Sequence, residues 1–245
     1  MKFNLEEIFT FNKKRMSICF LFIFLSVCVG NYSSFSLYTN NAYQIFYNII
    51  TDGWLNFFVF SAIIYNAFSL SKSYFNNPQL LVRVKNCSHT LEKAIISSNM
   101  LLLVILIILV SASAVFFGGS NFLAIDNIYG TSIIIHILAK TVFTLILYQL
   151  VSLLFMYWYI FFGEKKFFYL YGISSIIALM SMFINFTTIQ ISHWYKFFYI
   201  ILGLFVEVTY LNLLTEFLCT TICLLFIFSM VLLLKALVKK KKMIA

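Results

Sequence analysis

Hydrophobic positions along this chain gather into six long runs separated by short polar joints. The runs are Met16–Phe35, Gly53–Leu70, Ile95–Phe117, Ser132–Phe162, Phe168–Thr188 and Phe217–Leu237. A hydrocarbon core of about 30 Å takes about 20 residues of helix to cross, and a backbone inside lipid must satisfy its own hydrogen bonds. Each run therefore predicts a membrane-crossing helix. The expected fold is all-α, one polytopic domain over residues 1–245, with no stretch left to bury an aqueous core of its own.

The region Ile189–Glu216 breaks this rhythm. Phe197–Val206 is an apolar run of only about ten residues, roughly 15 Å as a helix, so it covers half a bilayer. Glu207, Thr209, Asn212, Thr215 and Glu216 then interrupt the apolarity. The pattern predicts a re-entrant hairpin, Phe197–Leu214, that dips into the outer leaflet and turns near Glu207; an amphipathic surface loop is the other reading. His193, Trp194, Tyr195 and Tyr210 at its ends suit the interfacial aromatic belt. At the start of the chain, Phe3–Phe11 is too short to span. It interleaves Phe3, Leu5, Ile8, Phe9 and Phe11 with Glu6 and Glu7, which predicts an amphipathic helix on the inner surface.

Charge gives the pattern a direction. Of the 17 Lys and Arg residues, all but Lys140 and Lys196 fall on one side of the implied membrane. Lys2, Lys13, Lys14 and Arg15 precede the first run, and Lys72, Arg83, Lys85 and Lys93 lie between the second and third. Lys165 and Lys166 occupy the joint Gly163–Phe167, and Lys235 with Lys239–Lys242 closes the chain. The opposite joints, Ser36–Asp52 and Gly118–Thr131, hold no basic residue. By the positive-inside rule the basic side is cytosolic, so both termini are expected in the cytosol. A full seventh span at Phe197–Leu214 would turn Lys239–Lys242 outward, a conflict that the hairpin avoids.

The net charge of +9 thus reads as orientation plus affinity for an anionic inner leaflet, and nothing resembles a nucleic-acid module. Lys13-Lys14-Arg15 before an apolar run has the look of a signal peptide, but no small-residue cleavage site follows, so an uncleaved first span is expected. Richness in Phe, Ile, Asn and Lys with one Pro fits an AT-rich bacterial genome, and hence a bacterial cytoplasmic membrane.

Candidate chemistry is sparse. The 5 cysteines make no disulfide framework. Cys219 and Cys223, one turn apart, read as small packing residues before they read as a metal or thiol site. No phosphate-binding Gly-x-x-x-x-Gly-Lys-Ser/Thr loop, His-Glu-x-x-His or Gly-x-Ser-x-Gly motif is present, so this chain is not expected to be an enzyme or to hold a cofactor. His136, Lys140, Thr144 and Tyr148 recur every four residues and share one face of the fourth run. Ionisable groups in lipid are functional candidates, which makes His136 and Lys140 candidates for a translocation path and Glu207 for an outer gate. Counting about 20 residues back from Phe162, however, sets Lys140 near the outer interface, where it can snorkel.

The longest cytosolic joint, Ser71–Ala94, carries the most local information. Asn77 before Pro78 reads as a helix cap with proline at the first helical position. Leu80, Leu81, Val82 and Val84 follow, interleaved with Arg83 and Lys85. This is either a short helix that presents apolar and basic residues for docking on another protein, or a solvated loop of orienting charges.

Together these features resemble the membrane (permease) subunit of bacterial type-2 ABC exporters, of the small Gram-positive peptide- or bacteriocin-exporting kind. The local match is Asn77-Pro78-Gln-Leu-Leu-Val-Arg83-Val-Lys85, then Thr90-Leu-Glu-Lys93 as the third run opens; Cys87-Ser88-His89 departs from the basic residues and aromatic usual there. The resemblance implies a coupling helix at Pro78, Leu80, Leu81, Arg83 and Lys85. It also implies a separate ATPase subunit that carries ATP and Mg, and a second permease copy or paralogue. A non-transporting bacteriocin-immunity or sensor-interacting membrane protein is the alternative of a different class.

Overall fold

The computed structural model describes residues 13–35, 42–51, 53–75, 87–118, 127–128, 131–186 and 213–244. Six long helices form there, α1 (Lys13–Phe35), α3 (Gly53–Phe75), α4 (Cys87–Gly118), α5 (Ile133–Phe162), α6 (Glu164–Phe186) and α7 (Leu213–Ile244), with a short α2 (Ala42–Thr51). Each long helix lies on one of the six apolar runs. Four stretches, Lys13–Tyr32, His89–Gly118, Thr141–Phe162 and Thr221–Lys240, are long and apolar enough to cross a membrane. In α3, Ser61, Asn66, Ser69, Ser71 and Lys72 dilute the apolarity. The expected N-terminal helix Phe3–Phe11 and the hairpin Phe197–Leu214, as far as Asn212, lie outside the described residues; Leu213 and Leu214 open α7.

The helices run longer than the lipid requires. α4 begins at Cys87, two turns before the apolar run, and α3 continues to Phe75. Between α5 and α6 the expected five-residue joint shrinks to Gly163 alone, whose φ of 86° is left-handed backbone that favours glycine. Gly163 N–H donates to Tyr159 O at 2.8 Å, and Phe167 N–H donates to Gly163 O at 3.2 Å, so one helix hands its hydrogen bonding to the next. Glu164 in the first turn of α6 suits the positive end of the helix dipole.

The joints without basic residues are also built. Ser36–Asp52 contains α2, which buries Ala42, Ile45 and Ile49, one face by their spacing. It lies so close to α4 that a Cβ on Gly118 would sit 2.5 Å from Ala42 Cα. Gly118–Thr131 leads into a two-stranded antiparallel ladder that pairs Asn127 with Ser132 and Ile128 with Thr131.

Packing centres on α1, α3, α4 and α5, where Ile23, Val59, Ile63, Leu102, Leu103, Tyr148 and Phe155 are buried together. A second cluster joins Ala67, Leu70, Leu91, Ile95, Met156 and Tyr157 to Val231, Leu234 and Val238 of α7. Lipid is as apolar as these side chains, so the contacts hold the bundle by close packing and dispersion. Residues left outward, such as Leu21 and Phe24 on α1, Val104 and Ile108 on α4, and Leu225 and Leu233 on α7, form the apolar jacket of a membrane protein. On α7 the inward residues Leu224, Ile227, Val231, Leu234 and Val238 follow alternate steps of three and four, a narrow seam whose principal neighbour is α5.

Candidate functional site

Two polar arrangements interrupt the apolar packing. The first joins the ends of helices. Lys72 Nζ, in the last turn of α3, lies 2.7 Å from Glu164 Oε1 at the start of α6. This hydrogen bond holds the Lys72 amine above its ordinary value of 10.5. Beneath the pair, Phe68 stacks with Phe167 at 4.8 Å and meets Tyr159 edge-on at 5.6 Å. On the other side, Glu92 of α4 lies 2.8 Å from Lys235 Nζ of α7 and 3.4 Å from His89 Nδ1. Glu92 is 8 % exposed, and its contact with Lys235 is a charge pair without hydrogen-bond alignment. Lys235 also lies 6.0 Å from the Tyr157 ring centroid on α5. Arg15, near the start of α1, is buried close to Tyr65 and Tyr74 of α3. These contacts gather the start of α1, the end of α3, the starts of α4 and α6 and the end of α7 at one end of the bundle.

The second arrangement lies deeper. Asn66 of α3 is 0 % exposed, and its Nδ2 donates to Ser98 Oγ and to Asn99 Oδ1 of α4, both at 2.7 Å. Ser98 in turn donates to Ile95 O at 3.2 Å. Asn66 Oδ1 and Asn99 Nδ2 are buried with no hydrogen-bond partner. One turn away on α4, Ile96 O accepts from Gln149 Nε2 of α5 at 3.4 Å, and Gln149 Oε1 is likewise unpartnered. An amide in an apolar interior without its bonds costs about 1–3 kcal/mol. The seam therefore holds spare capacity: two acceptors and one donor, beside paired amides that clamp α3 to α4. At 1.5 Å per residue, Asn99 stands roughly 10 Å above the Glu92 level.

The sequence-derived candidates fall around these arrangements and are not brought together by them. His136 and Lys140 lie in the first turns of α5, their side chains outside the described set. Farther along the same row, Thr144 is half-buried and Tyr148 fully buried, so this face of α5 turns into the bundle there. Pro78, Leu80, Leu81, Arg83, Lys85 and Glu207 lie outside the described residues. Among the described residues no three His, Cys, Asp or Glu gather as metal ligands. No protein-family model, curated protein or solved structure matches this chain.

Sequence reasoning passed over Asn66 and Asn99, although each is an amide inside an apolar run, the signal that drew attention to His136 and Lys140. Lys72 and Glu92 were legible only as orienting charge and as part of a motif. Their partners, Glu164 and Lys235, are far away in sequence.

Proposed function

We propose that this chain is the permease subunit of an ATP-driven type-2 ABC exporter in the bacterial cytoplasmic membrane, moving antimicrobial or amphipathic peptides outward. It has six spans, α3 and α6 included, with both termini cytosolic and a re-entrant outer hairpin before α7. A second permease copy or paralogue completes the path, and ATP and Mg belong to a separate ATPase. The observation that carries this reading is the segment Pro78–Lys85, apolar and basic by turns, set between α3 and α4 on the side that holds all but Lys140 and Lys196 of the basic residues.

The geometry of the flanking helices supports it. α3 ends at Phe75 and α4 starts at Cys87, and Leu70, Leu91 and Ile95 pack in one cluster just inside those ends. Force applied to the intervening segment would pass along two packed helices to the Asn66–Asn99 clamp. When those helices part, Asn66 Oδ1 and Asn99 Nδ2 offer an acceptor and a donor, the complement of a peptide group.

Copurification tests the reading directly. Arg83→Glu and Leu81→Asp lie outside the lipid, so each is expected to insert normally while recovery of the ATPase falls about tenfold or more, as when a charged contact at an interface is broken. Unchanged ATPase recovery with both variants overturns the coupling role of this segment, and an ATPase that is not recovered even with the parent chain leaves the non-transporting reading.

A further inference from the structure

The α5–α6 turn sets two lysines on a face of unusual make-up. Lys72 and Lys235 each have a carboxylate partner. Lys165 and Lys166 are exposed, and neither has a carboxylate partner among the described residues. Lys166 is held from below. Trp158 Nε1 donates to Lys166 O at 3.1 Å, Trp158 and Phe162 rings lie 4.3 Å apart, and Lys166 Nζ stands 5.0 Å above the Phe162 ring. A cation over a ring face is drawn to it electrostatically, and Trp is a residue that collects at the membrane interface.

Below them on α6, Tyr169, Ile173 and Ile176 follow Lys166 at helical spacing, and all are exposed, Tyr169 at 73 %. Gly172 lies among them. A glycine inside a helix is unfavourable by about 1 kcal/mol relative to alanine, and close packing usually explains it. Here a Cβ would meet no atom of the described residues within 4 Å, its own helix's neighbouring backbone aside. Among the described residues nothing calls for the notch, which leaves it open to a lipid chain.

We propose that this face binds one anionic phospholipid of the inner leaflet. Its phosphate lies at Lys165 and Lys166, and one acyl chain runs down the notch at Gly172 between Tyr169 and Ile176. Charge selects the headgroup: two neighbouring exposed cations, without acid partners among the described residues, favour an anionic over a zwitterionic lipid by about fivefold per lysine. Length selects the tail, because the apolar row continues from the cations toward the middle of the helix. The site rests on the Phe168–Thr188 run lying in lipid and is independent of whether an ATPase docks on the chain.

Trp158 is a built-in reporter. In the full chain with Trp54→Phe and Trp194→Phe, reconstituted in phosphatidylcholine vesicles with a minor share of phosphatidylglycerol, bromine is placed on the chains of one lipid at a time. Brominated phosphatidylglycerol is expected to quench Trp158 far beyond its mole fraction. Lys165→Gln and Lys166→Gln should each reduce the enrichment about fivefold. Gly172→Leu, which leaves every charge in place, should reduce it as well. Quenching in simple proportion to mole fraction overturns the proposal. An enrichment untouched by Gly172→Leu overturns it too, since surface charge alone then accounts for the effect. So does a Trp158 that neither lipid quenches in a chain that Gly172→Leu turns from dimer to monomer, which would make a second copy the occupant.

Discussion

Asn66 serves two oxygens with one amide nitrogen, so removing it and removing its partners are unequal changes. Asn66→Leu strands Ser98 Oγ and Asn99 Oδ1 without that donor and is expected to destabilise the bundle by about 1–3 kcal/mol. Asn66→Leu with Asn99→Leu should be milder than the sum of the single changes, with a coupling of about 0.6 kcal/mol and at most about 1.7 kcal/mol, the average and the maximum measured between membrane helices. A double-mutant cycle from denaturant unfolding in micelles measures it, and additivity would show that the amides do not cooperate. Lys72 behaves differently because it is solvent-exposed. Its folded pKa lies above the ordinary 10.5, so its bond to Glu164 contributes fully below that value and is lost as pH rises through the raised one. The stability difference between the parent and Lys72→Gln should stay flat from neutral pH to about 10 and close only on the alkaline side. A difference that closes near neutral pH would contradict the assignment.

Two glycines separate the causes of helix geometry. Gly163→Ala meets no atom within 4 Å but forces a side chain into left-handed backbone, at about 1–2 kcal/mol. Gly163→Asn should be better tolerated, because Asn visits that region more readily. Gly118→Ala has the opposite problem, a Cβ 2.5 Å from Ala42 Cα, and should displace α2 at about 1–3 kcal/mol. Adding Ala42→Gly should not rescue it, since the collision is with backbone. Thermal unfolding of the four variants ranks them. The long helices were legible in the sequence because an apolar run about 20 residues long has one fate in lipid. α2 was not, because its face of Ala42, Ile45 and Ile49 is read against α4, and that contact joins residues far apart in the chain. The one-residue turn at Gly163 was hidden because charge marks where lipid ends, while helices continue past it.

For the whole molecule the first question is which end of the bundle faces the cytosol. A cysteine added after Ala245, in a chain with its own cysteines replaced, should escape an impermeant reagent in intact cells, while Lys196→Cys should react. Labelling of the C-terminal cysteine would overturn the six-span arrangement. Of the candidate site, the gathering of Lys72, Lys165, Lys166 and Lys235 at one end of the bundle could be read from charge order alone. The amide seam could not, because hydropathy counts Asn66 and Asn99 as interruptions and says nothing of which helix each will meet. Over Thr221–Lys240, α7 meets the bundle through a narrow seam, Cys223 and Leu224 to Val238, tied near its end by Lys235 and Glu92, while α1, α3, α4 and α5 share a many-sided core. Stability in a folded chain is graded by such differences in local contact. α7 is therefore expected to open as a unit of its own, its backbone amides exchanging with solvent deuterium well before those around Asn66.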